Sequence, residues 1–408
     1  MKRSSDRIRT THTGSLPRPD VILEAVRAQM EAEYGEGEGG GKSGADNKQP
    51  LWAQGSEAFD ATLRVAVEEI VRQQVAVGID TVGDGECGKP SFRGYLAQRL
   101  GGYEARIPPG GVPVPGPVSP DSRDAKLFPD YYRNAMQNNP FANAIRVAPR
   151  VCVAPLTYTG QAKVQRDIAN LKDAMAACGA DEGFMPSAGP IPVDGNEHYG
   201  SEADYIEAFG NAMREEYRAI IDAGLLLQID DPRMVSSWDA RGNIDLAQYR
   251  SWMQQRIEVI NHALRDLPQD RIRFHTCYGV NFGPRITDLQ LEQVLDLLLT
   301  IKAGAISFEA ANPRHDHEWR IAASAKLDGK ILIPGGITHS NVTVEHPEVV
   351  ADRMERWANA VGRENVLFGN DCGFASTAGN AEIPPSVAWA KLAALGDGAK
   401  LATLRLWK

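Results

Sequence analysis

Phe274-His275-Thr276-Cys277-Tyr278 reads as the end of a β-strand that carries an imidazole and a thiol two positions apart. Side chains alternate across a strand, so His275 and Cys277 share a face. A neutral imidazole and a thiolate are good zinc donors, but two donors do not complete a site. Two later apolar runs end in the same manner. Ala305-Ile306-Ser307-Phe308-Glu309 stops on a carboxylate, and Val366-Leu367-Phe368-Gly369-Asn370-Asp371-Cys372 stops on a thiol. Parallel strands of a barrel bring such ends to one rim. The reading is therefore a zinc site of His275, Cys277, Glu309 and Cys372.

Outward from that stretch, eight strand candidates alternate with helices. They begin with Ile8 to Ser15, which a Leu-Pro-Arg-Pro run stops, and 78–86, which ends in Asp84 and Glu86. The next are 150–156, 224–232 (ending in Asp230 and Asp231), 271–277, 304–309, 330–336 and 365–370. The 184–190 segment, Phe-Met-Pro-Ser-Ala-Gly-Pro, reads as a loop. Helices are expected at about 20–32, 55–77, 164–178, 201–223, 245–265, 287–302, 345–361 and 384–395. Continuously apolar strands mark a parallel sheet covered on both faces. Eight such units with polar C-terminal ends predict a (β/α)8 TIM barrel with loop insertions. An open doubly wound sheet is the alternative, but no Gly-x-Gly-x-x-Gly follows the first strand.

The chain is expected to be one barrel over residues 1–408, with insertions at about 35–55 and 103–148. Gly41-Lys42-Ser43 lies in the first of these, and no strand leads into it. The glycine that a phosphate loop needs five residues before Gly41 is Glu36, so 35–48 is read as a surface loop.

The composition fits this. Of 408 residues, 43% are hydrophobic and 24% charged, enough for a full core. A net charge of -9 without a Lys/Arg block argues against a nucleic-acid partner. No apolar run approaches the about 20 residues of a membrane span, and no signal core follows the basic start. A cytoplasmic location is expected, with no membrane partner. Self-association into a homo-oligomer is left open. Five cysteines, an odd and sparse set, argue against a disulfide scaffold, and Cys152 and Cys178 are read as buried hydrophobes.

Two thiolates, a carboxylate and an imidazole around a +2 ion leave a centre near -1. Such a zinc is a weak Lewis acid, but it can bind a substrate thiol, lower its pKa and leave the thiolate nucleophilic. Glu309 would be the ligand most readily displaced by a substrate sulfur.

These residues also carry a family resemblance. Thr10-Thr11-His12-Thr13-Gly14-Ser15-Leu16-Pro17, Gly83-Asp84-Gly85-Glu86, Leu227-Gln228-Ile229-Asp230-Asp231-Pro232, His275-Thr276-Cys277, Ser307-Phe308-Glu309-Ala310-Ala311-Asn312-Pro313-Arg314 and Asn370-Asp371-Cys372-Gly373 occur in this order. The chain resembles the catalytic barrel of the cobalamin-independent methionine synthases and their short relatives, which include the enzyme that joins epoxyalkanes to coenzyme M. The resemblance implies Zn2+ held by His275, Cys277, Glu309 and Cys372. It implies that Ser15, Glu86 and Asp230 hold the amino-acid end of a thiol substrate, and that His339 is the catalytic acid/base. The activity it implies is methyl or alkyl transfer from a small-molecule donor, of methylfolate type in the synthases, to a zinc-activated thiol such as homocysteine. Asp231 stands where the synthases carry Glu, and the second barrel of the full-length enzymes has no counterpart here. Opening of an epoxide or ether with a different thiol, or lyase chemistry, is the alternative on the same scaffold. A zinc-stabilised binding protein without turnover is the third reading, and the row of carboxylates beside the metal speaks against it.

Overall fold

The computed structural model describes every residue except 26–56, 107–118, 120, 139–143, 145–148, 191–193, 280–281 and 380–382. The expected 35–55 insertion therefore lies outside the described residues, as does much of 103–148.

The centre is a seven-stranded parallel sheet. Its order is β1 (Thr81–Val82), β4 (Glu182–Ala188), β6 (Leu226–Asp230), β7 (Ile272–His275), β8 (Ala305–Phe308), β9 (Ile331–Ile337) and β10 (Gly369–Asn370). The segment around Thr10 closes the ring. Thr10 pairs in parallel with Phe368, Thr11 N donates to Phe368 O at 2.8 Å, and Thr81 N donates to Thr10 O at 3.0 Å. Seven strands and this segment make the eight staves of a (β/α)8 barrel, as expected. The strands are short because each is buried on both faces: every residue of β6, β7, β8 and β9 is buried.

The eight staves are not the eight that the sequence suggests. Arg150–Tyr158 (β3) is a strand, but it belongs to a second sheet with β2 (Leu100–Ala105) and β5 (Gly195–Asn196). It is antiparallel to β2 and partly exposed along its length. The third stave is instead β4, which overlaps the 184–190 stretch read as a loop. Gly183 and Pro186 disguise it, yet it is almost wholly buried and pairs with β1 and β6. Pro186 lacks an N–H, but its carbonyl accepts from Lys89 Nζ at 2.5 Å.

Most helices fall where periodicity places them, at Glu57–Ala76, Gln161–Cys178, Glu202–Asp222, Leu246–Ala263 and Pro347–Val361. Local chemistry sets their starts. Ser201 Oγ accepts from Asp204 N at 3.1 Å, and Asp245 and Gln248 form a reciprocal capping box. The expected 287–302 helix is only a 3₁₀ turn, Leu291–Gln293, and one helical turn, Leu295–Leu298. The last helix does not end at 395 but runs over Pro385–Leu406, through Gly396 and Gly398.

Gly396 explains why. A Cβ there would lie 2.1 Å from Val77 O, so the helix packs against the turn that follows Glu57–Ala76 only with bare backbone at that point. Gly396→Ala should gain about 1 kcal/mol of helix propensity and lose more to that clash. We expect a lower thermal midpoint for the variant. An unchanged midpoint would mean that the helix can slide away at no cost.

Candidate metal centre

The barrel rim gathers the strand ends into two adjacent groups. In the first, a ring nitrogen of His275 and the sulfurs of Cys277 and Cys372 lie within 4.8 Å of one another, all buried. The two sulfurs are 2.9 Å apart, and both cysteines are free. In the second, Glu309, His339 and Asp371 converge within the same distance, also buried. Three of the four expected ligands thus meet in one cluster, and Glu309 stands in the neighbouring one with His339.

Asp230 orients His275. Its Oδ1 lies 3.0 Å from His275 Nδ1, which donates to it in the tautomer that leaves Nε2 a base. Nε2 is buried without a hydrogen-bond partner. Gln228 Nε2 holds the same Asp230 oxygen at 2.7 Å. Asp230 therefore supports the imidazole as well as facing the cavity.

The electrostatics of the cluster favour a proton on His275 against a thiolate at Cys277. Burial opposes charge on His275, yet the hydrogen bond to Asp230 and the Cys277 sulfur push its pKa up to about 10. The Cys372 thiol, donating to Cys277, holds that sulfur down at about 6, while Cys372 itself is raised by the same contact and by burial. One positive charge against a thiolate is thus the preferred state of these three groups. A divalent ion would displace the His275 proton, and two sulfurs, an imidazole and a nearby carboxylate form a donor set that fits a thiophilic one such as zinc.

Glu309 is held on both oxygens. Oε1 accepts from Tyr278 N at 2.7 Å, and Oε2 accepts from Arg285 Nη2 at 2.9 Å and Asn312 Nδ2 at 3.0 Å. Burial nevertheless raises its pKa to about 7. Asp371 supports the strand end beneath it, because Oδ1 accepts from Ala310 N and Ala311 N at 2.7 Å each. Neither Arg285 nor Asp371 drew a role from the sequence. Asp371 lies inside the Asn-Asp-Cys-Gly motif, and that position was its only signal.

A cavity of about 310 Å³ opens onto the first group, and Ser15, Glu86, Asp230, His275, Cys277 and Cys372 all line it. The three residues expected to hold substrate therefore share one space with the three clustered ligands. Ser15 approaches the Cys372 turn so closely that a Cβ on Gly373 would fall 1.9 Å from its Oγ. Glu86 is buried with φ at +55°, and its Oε2 has no hydrogen-bond partner. Burial drives its pKa up to about 7, with Lys89 opposing and Asp230 adding to the shift. A left-handed backbone in a residue other than glycine marks strain, here at a carboxylate facing the cavity.

Asp231, Asp84 and His12 serve the fold, while His339 belongs to the second group. Asp231 pairs with Arg256 Nη2 at 3.0 Å, and Asp84 Oδ1 accepts from Glu86 N at 2.9 Å. His12 is packed edge-on to Phe184, and burial lowers its pKa to about 3. His339 is buried, with Nε2 3.4 Å from Gly279 O and Nδ1 without a partner. Burial lowers its pKa to about 4, against the pull of Asp371 and Cys277.

An ammonium-bearing thiol held at Glu86 would bind in a pH-dependent way. The carboxylate is the binding form, so affinity should fall as pH drops below about 7, approaching tenfold per unit. Glu86→Gln should flatten that dependence. Titration calorimetry across pH 5.5 to 8 checks this, after correction for the thiol's own ionisation.

Comparison with known proteins places the chain. Residues 198–394 match the model of the cobalamin-independent synthase catalytic domain. The chain is 22% identical over 400 residues to a methionine synthase of Sulfurisphaera tokodaii, covering 96% of this chain and 91% of that one. It is 24% identical over 369 residues to the methionine synthase of Sulfolobus acidocaldarius, covering 89% and 85%. Among solved structures it is similar to a B12-independent methionine synthase from a Shewanella species, with a TM-score of 0.69, 19% identity and coverage of 98% and 99%. A putative B12-independent methionine synthase from Listeria monocytogenes gives a TM-score of 0.61 at 18% identity over 98% of this chain. The fold is theirs, and by sequence the chain is related to the cobalamin-independent methionine synthases, whose catalytic-domain pattern it carries over residues 198–394.

Proposed function

We propose that the protein is a zinc-dependent transferase that moves a methyl or other alkyl group to a thiol, in the manner of a methionine synthase. The observation that carries this reading is the convergence of Cys277, Cys372 and His275 at one wall of a substrate-sized cavity. The family match and the methionine synthase relatives support methyl transfer as the class of reaction.

Cys277, Cys372 and His275 would hold the ion, with Glu309 as the exchangeable fourth ligand. A bound zinc lowers the pKa of a substrate thiol and leaves its thiolate nucleophilic. Asp230 keeps His275 in the donor tautomer, and Arg285 opposes the rise that burial gives the Glu309 carboxyl. Ser15, Glu86 and Asp230 anchor the amino-acid end of an acceptor such as homocysteine. The Glu86 carboxylate, with an unpartnered oxygen, gains a charge-assisted hydrogen bond when an ammonium group enters. Burial excludes water from the reacting sulfur and strengthens each of these interactions.

His339 is the acid/base of this reading. It is neutral while buried, and Asp371 and Glu309 beside it can stabilise the imidazolium. It would take the proton that leaves the thiol and pass it to the departing group, which a poor leaving group such as an amine requires.

Metal analysis tests the centre. The isolated protein should contain one zinc per chain, and Cys277→Ser or Cys372→Ser should lose it. Full zinc in either variant overturns the site. X-ray absorption at the zinc edge should show one more sulfur neighbour when the acceptor thiol is added.

His339→Asn tests the proton path. We expect retained zinc and thiol affinity but a loss of roughly 10²-fold or more in kcat. The loss should shrink for a donor whose leaving group needs no proton. An equal loss with both donors would assign His339 to binding or support instead.

A further inference from the structure

The cavity holds two cations that the chemistry above does not use. Arg93, at the start of the short turn Gly94–Gln98, and Arg233, which opens the helix Arg233–Ala240 after β6, both line it. Arg93 is half-buried, and its Nε is fully buried with no hydrogen-bond partner. Arg233 is exposed at the mouth. Among the described residues neither guanidinium makes an ion pair.

The acids nearby are already engaged. Asp194 pairs with Arg150 at 2.6 Å, and Asp231 pairs with Arg256 at 3.0 Å. Arg93 instead faces the charge of Arg233 across the cavity. Burial and that repulsion lower the pKa of Arg93 to about 9. Two like charges facing one cavity, one of them partly desolvated, destabilise the empty protein. An oxyanion between them would relieve that cost. Guanidinium forks suit this role, since they donate paired N–H groups to carboxylate-type oxygens and stay charged when desolvated.

The arrangement gives the cavity polarity. Its metal-side wall carries Glu86 and Asp230, and these carboxylates are not among the charges that dominate at either arginine. We propose that Arg93 and Arg233 form an anion subsite, and that one of the two substrates brought together in the cavity carries a carboxylate or a similar oxyanion there. This rests on reading the cavity as the thiol-transfer site. The shared chemistry has two sources, the thiol acceptor or the alkyl donor.

Calorimetric titration of the isolated protein distinguishes them. In the acceptor arm, 3-mercaptopropionate is compared with uncharged 2-mercaptoethanol. In the donor arm, propionate is compared with propionamide, both without thiol and with 2-mercaptoethanol saturating. The subsite predicts at least tenfold tighter binding of the charged probes: a propionate preference that persists with 2-mercaptoethanol saturating assigns the oxyanion to the donor, and a preference shown by 3-mercaptopropionate but lost by propionate under saturating 2-mercaptoethanol assigns it to the acceptor. Arg93→Met and Arg233→Met should each remove several-fold of the preference, and the double variant all of it. Unchanged affinity for 2-mercaptoethanol in the variants would show that the fold and metal wall are intact.

The proposal is overturned if neither arm shows a charge preference, or if the preference survives in the double variant. Its failure is separable from that of the transferase reading. Thiols that bind without charge preference, with no propionate binding, would remove the subsite and leave the thiol site. Arginine-dependent propionate binding with no thiol binding would do the reverse.

Discussion

The hydrogen-bonded chain from Arg273 through Gln228 and Asp230 to His275 is the constraint on which the centre depends. Arg273 is buried inside the barrel, donating to Gln228 Oε1 at 2.7 Å and to Thr11 Oγ1 at 2.8 Å. Gln228 in turn donates to Thr13 O at 2.6 Å and to Asp230. One guanidinium thus ties β6 and β7 to the segment that closes the barrel, and the last link sets the tautomer of the imidazole. Burial lowers the pKa of Arg273 to about 9, so its charge is held at a cost that only a complete set of acceptors offsets. Fold closure and ligand orientation are one network.

The same logic explains the division of the rim into two groups. The sulfurs and His275 form one centre, in which an imidazolium faces a thiolate. Glu309, His339 and Asp371 sit beside it with their own supports: Arg285 for Glu309, and the Ala310 and Ala311 amides for Asp371. A carboxylate gripped by an arginine can approach or leave the first group without losing every partner. In the proposed metal site this would suit Glu309 to the role of exchangeable ligand, with the cysteines and the imidazole as the lasting ones.

What the sequence made legible follows from how strongly each feature is written in local pattern. Strands buried on both faces are continuous apolar runs, and their polar ends stand out, so the barrel and its rim residues could be read directly. β4 was hidden because Gly183 and Pro186 are loop residues by propensity, while burial between β1 and β6 decides their state. β3 is apolar enough to look like a stave but pairs antiparallel with β2, and pairing is not local. The cysteines, His275 and Glu86 are marked by residue type at strand ends. Arg93 and Arg233 are not marked, because an unpaired arginine is distinguished only by what fails to lie next to it.

The contact between Ser15 and the Cys372 turn ties together two parts of the chain that are far apart in sequence. Gly373 has no room for a side chain because the Ser15 hydroxyl fills the space. A larger residue at 373 becomes tolerable only once position 15 has shrunk, and a shrunken position 15 gives up a wall of the cavity. The two positions can therefore drift only as a pair. A change at residue 15 therefore reshapes the cavity wall and frees the Cys372 turn in one step, so the outline of the cavity and the placing of that sulfur are bound to diverge together.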